Sequence, residues 1–247
     1  MNKIITEGKS RQVQSTDNPD EVVVLHKDNE TAYNGIKRAT IPGKGVTITS
    51  ISAILYELLE KNGVPTHFIR VVDERSHLCR RVTPIRLEFI VRNFAAGDMT
   101  ARLDIPTGTP LKKPILECCY KNDKLDDPFI NTHYAIALGI STAEELAEIE
   151  QKLGDINRIL VSYFLSIGIR LVDFKVEFGR ASDGTLLMCD ELSPDSCRLW
   201  DTETRESLDR DRFRYDLGKV GESYEEVLRR MKVSSQNSPL RKKYKDK

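Results

Sequence analysis

The stretch from Leu171 to Leu192 restricts the fold more than any other part of this chain. Val172, Phe174, Val176 and Phe178 alternate with Asp173, Lys175 and Glu177. Only an extended strand sorts such a run into one apolar and one charged face. Ser182-Asp183-Gly184-Thr185 follows, and then a second apolar run from Leu186. Asp-Gly in that setting predicts a two-residue hairpin turn, with Ser182 opposite Thr185 and Glu177 opposite Asp190. The apolar face packs a core, so the charged face lines something wet. Carboxylates directly opposed in a sheet repel one another unless a cation sits between them. Mg2+ takes one or two carboxylates together with substrate phosphates. Glu177 and Asp190 are therefore a candidate metal–nucleotide pair. The same spacing also fits a solvated sheet face whose acids simply pair with Lys175.

Short strands dominate the earlier part of the chain. Lys3 to Gln14 reads as strand–turn–strand around Gly8, Glu21–His26 as a buried strand, and His67–Val72, Leu78–Val82 and Ile85–Arg92 as further strands. Ile51 to Lys61 has helical spacing and is stopped by Gly63 and Pro65. Ser141-Thr142-Ala143-Glu144 predicts a capping box ahead of a second helix of about 24 residues that ends at Gly168. The pattern predicts an α+β protein of two lobes with a cleft between them. The N-terminal nucleotide-binding lobe is expected at 1–84, the larger catalytic lobe at 85–233 and a disordered basic tail at 234–247.

The chain has 247 residues, 39% of them hydrophobic, enough for a substantial core. No apolar run is long enough to span a bilayer, and Met1 to Lys9 has no signal-like apolar segment, so a cytoplasmic location is expected. Thirty-eight basic residues balance 38 acidic ones. Five Lys/Arg and one Asp fall in 234–247, which leaves the rest of the chain at −4. That balance argues against nucleic acid as a partner. Five cysteines without C-x-x-C spacing and four scattered histidines read as reduced structural thiols and ordinary surface or boundary side chains.

Beyond the hairpin, Asp190-Glu191-Leu192-Ser193-Pro194-Asp195-Ser196-Cys197-Arg198-Leu199-Trp200-Asp201 sets Arg198 beside the only Trp. Asp209-Arg210-Asp211-Arg212-Phe213-Arg214 adds three more guanidinium groups, the group suited to bidentate recognition of carboxylate or phosphate. Metal-binding carboxylates next to arginines suggest phosphoryl transfer to an anionic substrate. There is no P-loop and no G-x-G-x-x-G. The Gly8-Lys9-Ser10-Arg11 turn could instead lie over the phosphates.

Together these residues resemble the SAICAR synthetase family. The resemblance runs from about residue 7 to 230 and is carried by Glu7-Gly8-Lys9-Ser10-Arg11, Gly43-Lys44-Gly45, Val91-Arg92-Asn93-Phe94-Ala95-Ala96-Gly97, Tyr120-Lys121-Asn122-Asp123, Asp173–Gly179, the Asp190–Asp201 loop and Asp211–Arg214. It implies a two-lobed fold of ATP-grasp or kinase-like type, with an antiparallel N-lobe sheet and the ATP cleft between the lobes. It also implies a ligase that joins carboxyaminoimidazole ribonucleotide (CAIR) to L-aspartate through an acyl phosphate, with ATP and Mg2+ as cofactors and a homodimer as the assembly. By the same resemblance, Lys9, Arg11 and Lys121 touch ATP phosphates, and Glu177 and Asp190 bind the metal. Arg92, Asp98, Arg198 and Arg214 line the acceptor site, and Lys175 and Asp173 are the catalytic residues.

Two blocks depart from the family. Ala95-Ala96-Gly97 is followed by Asp98 where the family usually has Ser, and Ile48-Thr49 replaces the usual Asn-Asn after Gly-Lys-Gly. These departures leave open a specialised paralogue that makes an amide on a related, non-phosphorylated carboxylate or with another amine. A small-molecule kinase would share the ATP and metal residues, and a non-catalytic binding protein would not need them.

Overall fold

A computed structural model describes residues 3–237 of the protein. In chain order the first lobe contains β1 (Ile4–Glu7), β2 (Arg11–Ser15), β3 (Glu21–His26), β4 (Asn29–Ala32), β5 (Lys37–Thr40), α1 (Lys44–Lys61), β6 (Phe68–Asp73) and β7 (Ser76–Arg80). The rest comprises β8 (Thr83–Phe94), α2 (Asp98–Leu103), β9 (Pro110–Tyr120), β10 (Phe129–Ile130), α3 (Thr132–Ala137), α4 (Ala143–Ser166) and β11 (Ile169–Arg180). It closes with β12 (Leu186–Cys189), β13 (Cys197–Asp201), α5 (Asp211–Arg214) and α6 (Val220–Asn237).

The first lobe is an antiparallel sheet in the order β1-β2-β3-β7-β6, with β4 and β5 as a separate ribbon. The second sheet runs β10-β9-β8-β11-β12, with β13 also on β11. β11 is its axis. One edge pairs with β8 along most of its length, and the other is shared between β13 near its start and β12 near its end. The loop from Asp190 to Ser196 crosses where that neighbour changes, tied there by the Lys175 N–H donating to the Ser196 carbonyl at 2.8 Å.

Alternation settles which face is buried. Leu87, Phe89 and Val91 of β8 and Phe174, Val176 and Phe178 of β11 share one core with Leu153, Ile156, Leu160 and Phe164 of α4. Each such side chain, fully buried, contributes about 1.5–3 kcal/mol. The opposite face of the same strands carries the charges.

Several boundaries differ from the sequence expectation. α1 begins at Lys44, seven residues before Ile51, because its early hydroxyl residues satisfy themselves within the helix. Thr49 Oγ1 donates to the Gly45 carbonyl at 2.8 Å, and Thr47 Oγ1 to that of Gly43 at 3.3 Å. Thr142, rather than Ser141, caps α4 by accepting from the Glu145 N–H at 3.2 Å. The expected lobe boundary at 84/85 falls just inside β8. α6 continues to Asn237, so 234–237 are helical, while 238–247 of the expected basic tail lie outside the described residues. Among the described residues no helix is long and apolar enough to cross a membrane.

Candidate active site

The hairpin closes one residue differently from the predicted register. Ala181 N–H donates to the Thr185 carbonyl at 3.0 Å, leaving a three-residue loop in which Gly184 takes φ 83. That conformation suits glycine and forms a bulged turn. Glu177 consequently faces Cys189, not Asp190, and its opposed like charge is Glu88 on β8. Glu88 lies four residues before Arg92 on the charged face of β8, so simple alternation from Arg92 locates it.

Asp190 follows the end of β12 with φ 72, a conformation uncommon outside glycine, and the carboxylates converge all the same. Lys175 Nζ lies 2.9 Å from Glu88, 3.3 Å from Asp190 and 3.6 Å from Glu177. Arg11 pairs with Asp190, and Lys121 with Glu177. Burial works against the Lys175 ammonium, yet Asp190, Glu88 and Glu177 together raise its pKa, so it remains a cation. Burial would raise the Asp190 carboxyl, but Arg11, Lys175 and Lys121 outweigh it and hold it well below the usual carboxylate range. Burial and then the neighbouring Asp190 charge push the Glu177 carboxyl up.

This donor set suits a hard cation shared with phosphates. The Lys175 ammonium already places one positive charge between Glu177 and Asp190. Among the described residues no group of three or more His, Cys, Asp or Glu side chains is arranged to enclose a metal. Mg2+ bound through one or two carboxylates takes its remaining ligands from water and substrate.

A row of alternating charge adjoins this cluster. Asp173 is paired in register with Arg92 on β8 and with Arg198 on β13. Its Oδ2 accepts from Arg92 Nη1 at 2.8 Å and from Arg198 Nη1 at 2.7 Å. Asp211 accepts from Arg198 Nε at 2.8 Å and from Arg214 Nη1 at 2.6 Å. Arg92, only 1% exposed, is held further by Glu117 Oε2 at 2.5 Å, and its Nη2 lies 3.4 Å from the largely exposed Asp98. Glu117 also binds Arg102. The Arg198 guanidinium lies against Gly97, where an added Cβ would come within 2.7 Å of it. Only glycine fits there.

The structure thus brings Arg11, Lys121, Lys175, Glu177 and Asp190 into one cluster and Arg92, Asp98, Asp173, Arg198 and Arg214 into the next. Lys9 stands apart at the β1–β2 turn, its Nζ donating to Asn34 Oδ1 at 2.7 Å. Sequence reasoning missed Glu88, Glu117 and Asp211 as partners of the predicted groups. It also missed a buried ionic knot. Lys44 Nζ lies 2.7 Å from both Glu30 and Asp195, and Arg210 lies 3.1 Å from Glu30. Three of the four histidines are buried, a correction to their expected surface or boundary setting. His67 and His77 pack edge-on against Tyr56, His77 also against Phe68 and His26 against His77, and burial pushes His26 and His67 down to about 3. The five cysteines are buried free thiols.

Residues 4–231 match the SAICAR synthetase family. The phosphoribosylaminoimidazole-succinocarboxamide synthase of Fusobacterium nucleatum is 49% identical over 229 residues, covering 93% of this chain and 97% of that protein. The crystal structure of the synthase of that name from Ehrlichia chaffeensis superposes with a TM-score of 0.91 at 42% identity, over 93% of this chain and 98% of that one. A SAICAR synthetase in complex with ADP gives 0.89 at 42% identity, over 92% and 96%.

Proposed function

The chain belongs to the SAICAR synthetase family, and on that premise we propose that it is the ATP-dependent carbon–nitrogen ligase of purine biosynthesis that joins CAIR to L-aspartate, giving SAICAR, ADP and phosphate. The observation that carries this reading is one sheet face on which a Lys175-centred carboxylate cluster adjoins the Arg92–Asp173–Arg198 row. The solved relative with bound ADP supports ATP as the nucleotide. The specialised paralogue is not favoured, since relatives near half identity over almost their whole length carry the name of the CAIR ligase.

A carboxylate is a poor acyl donor because oxide would have to leave. An oxygen of the CAIR carboxylate attacks the γ-phosphorus and ADP departs. The aspartate nitrogen then attacks the acyl carbon, phosphate departs, and the nitrogen gives up a proton. No enzyme nucleophile is needed, only positioning and charge stabilisation. Arg11, Lys9 and Lys121 bind the ATP phosphates, Arg11 exchanging its partner Asp190 for phosphate oxygen. Glu177 and Asp190 are the residues that would hold Mg2+, which neutralises phosphate charge when bound. Lys175, a permanent cation by its raised pKa, stabilises the transferring group and is not a base. Asp173 aims Arg92 and Arg198 at the acceptor, with Arg214 beside them. The enzyme acts in the cytoplasm as a homodimer under this reading.

ADP release measured with Mg2+, ATP, CAIR and L-aspartate tests the proposal. Turnover is expected only with all substrates present and with a product of SAICAR mass. ADP formation without aspartate and with a phosphorylated product would indicate a kinase instead. Asp98 supplies a finer prediction. Its carboxylate competes with the ribotide phosphate for Arg92, so Asp98→Ser is expected to lower KM for CAIR about tenfold, on the order of 1.4 kcal/mol, with kcat little changed. An unchanged KM would remove Asp98 from the acceptor site.

A further inference from the structure

The helix α1 grips the Asp190–Asp195 segment at three points along a single stripe. Lys44 Nζ lies 2.7 Å from Asp195 Oδ2, Ser52 Oγ donates to the Leu192 carbonyl at 2.8 Å, and the Tyr56 hydroxyl donates to the Asp190 carbonyl. Positions 44, 52 and 56 are multiples of four apart and follow one inclined i, i+4 row of the helix. They meet 195, 192 and 190 in reverse order, so helix and loop run antiparallel. Ser52 and Tyr56 are 0% and 2% exposed.

The grip ends on a residue that needs it. Asp190 has φ 72, a conformation a non-glycine residue keeps only when its surroundings hold it there. Tyr56 holds the carbonyl of that same residue, and Ser52 fixes the chain two residues on. α1 is itself fastened to the N-terminal sheet. His77 Nε2 is 2.9 Å from the Thr49 carbonyl, and His26 Nδ1 is 2.9 Å from Thr49 Oγ1. The direction of the Asp190 carboxylate is therefore referred, through α1, to the lobe that carries the Gly8–Arg11 turn.

We infer that Tyr56 and Ser52 are positioning residues, aiming the Asp190 carboxylate at a cation shared with the nucleotide phosphates. Neither touches substrate. The inference rests on the proposed role of Asp190 in metal binding. Losing an outer-shell support of this kind weakens metal affinity by about tenfold or more.

The test is calorimetric titration of the full chain with ADP, with and without Mg2+, for wild type, Tyr56→Phe and Ser52→Ala. Tyr56→Phe keeps the ring and removes only the hydroxyl. The gain in ADP affinity that Mg2+ confers is expected to fall about tenfold in Tyr56→Phe and in the same direction in Ser52→Ala. ADP affinity without Mg2+ should stay within about twofold, a split that loose packing alone would not produce. If both variants melt at lower temperature yet keep the full Mg2+ gain, the hydroxyls are merely structural and the inference is overturned. A wild type with no Mg2+ gain overturns the metal reading of Asp190 and this inference with it.

Discussion

Glu177→Gln is expected to abolish most ligase activity while making the ligand-free protein more stable. Gln keeps the shape of the side chain and its place on β11 but removes the charge facing Lys121, Lys175 and any bound metal. Loss of one preorganised charge at a phosphoryl-transfer site costs about 10²–10³ in kcat, about 3–4 kcal/mol. Stability moves the other way because burial first, and the Asp190 charge second, already disfavour the ionised carboxylate. A carboxyl whose folded pKa is raised favours the fold below its unfolded value and loses that contribution as pH rises through the folded one. Replacing it should therefore raise the melting temperature at about pH 8, with the gain gone by about pH 3, below the unfolded value, where both states are protonated. Parallel kinetics and melting without Mg2+ or nucleotide would check it. A variant both inactive and less stable at pH 8 would mean that the charge is structural rather than catalytic.

Much of this site was legible because alternation is a local property. Asp173, Lys175 and Glu177 had to share a face, and Asp173 does take two arginines while Lys175 takes the carboxylates. The partner across the hairpin was misplaced by one residue. Asp-Gly signals a turn, but whether two or three residues form it depends on hydrogen bonds the sequence does not reveal, and here Ala181 pairs with Thr185. Glu88 could have been found from the period of β8. Glu117 could not, since β9 carries mixed polar and apolar residues that set no clear strand pattern. The early part of α1 was hidden because Thr47, Thr49 and Ser52 are polar yet buried, each bonded to a carbonyl. The histidines misled for a related reason. Their burial depends on α1 packing against β3, β6 and β7, a long-range arrangement with no local signature. Family resemblance supplied the rest, joining Arg92, Arg198 and Arg214 across a hundred residues of chain.

Lys44→Met is expected to give the largest loss of stability of any single change considered. Lys44 is 2% exposed, and its ammonium meets Glu30 and Asp195 at 2.7 Å each and the Asn29 carbonyl at 2.8 Å. Methionine fits the volume but leaves two buried carboxylates sharing Arg210, which lies 3.1 Å from Glu30 and 3.6 Å from Asp195. Breaking a buried pair from one side costs about 3–5 kcal/mol, a large part of the 5–15 kcal/mol that holds a typical domain folded. Burial, and then the Asp195 charge, already push the Glu30 carboxyl up to about 7 with Lys44 in place. Without Lys44 it should rise further and take up a proton near neutrality, so the deficit should be greater at pH 8 than at pH 6. Adding Glu30→Gln removes the stranded charge and should restore about 1–2 kcal/mol, a coupling typical of residues in contact. Urea midpoints of the two single variants and the double variant at both pH values would measure it. A loss below about 1 kcal/mol for Lys44→Met would place the knot among ion pairs that merely break even with an apolar replacement. The role of α1 in holding the catalytic loop would then fall to its two hydroxyl contacts alone.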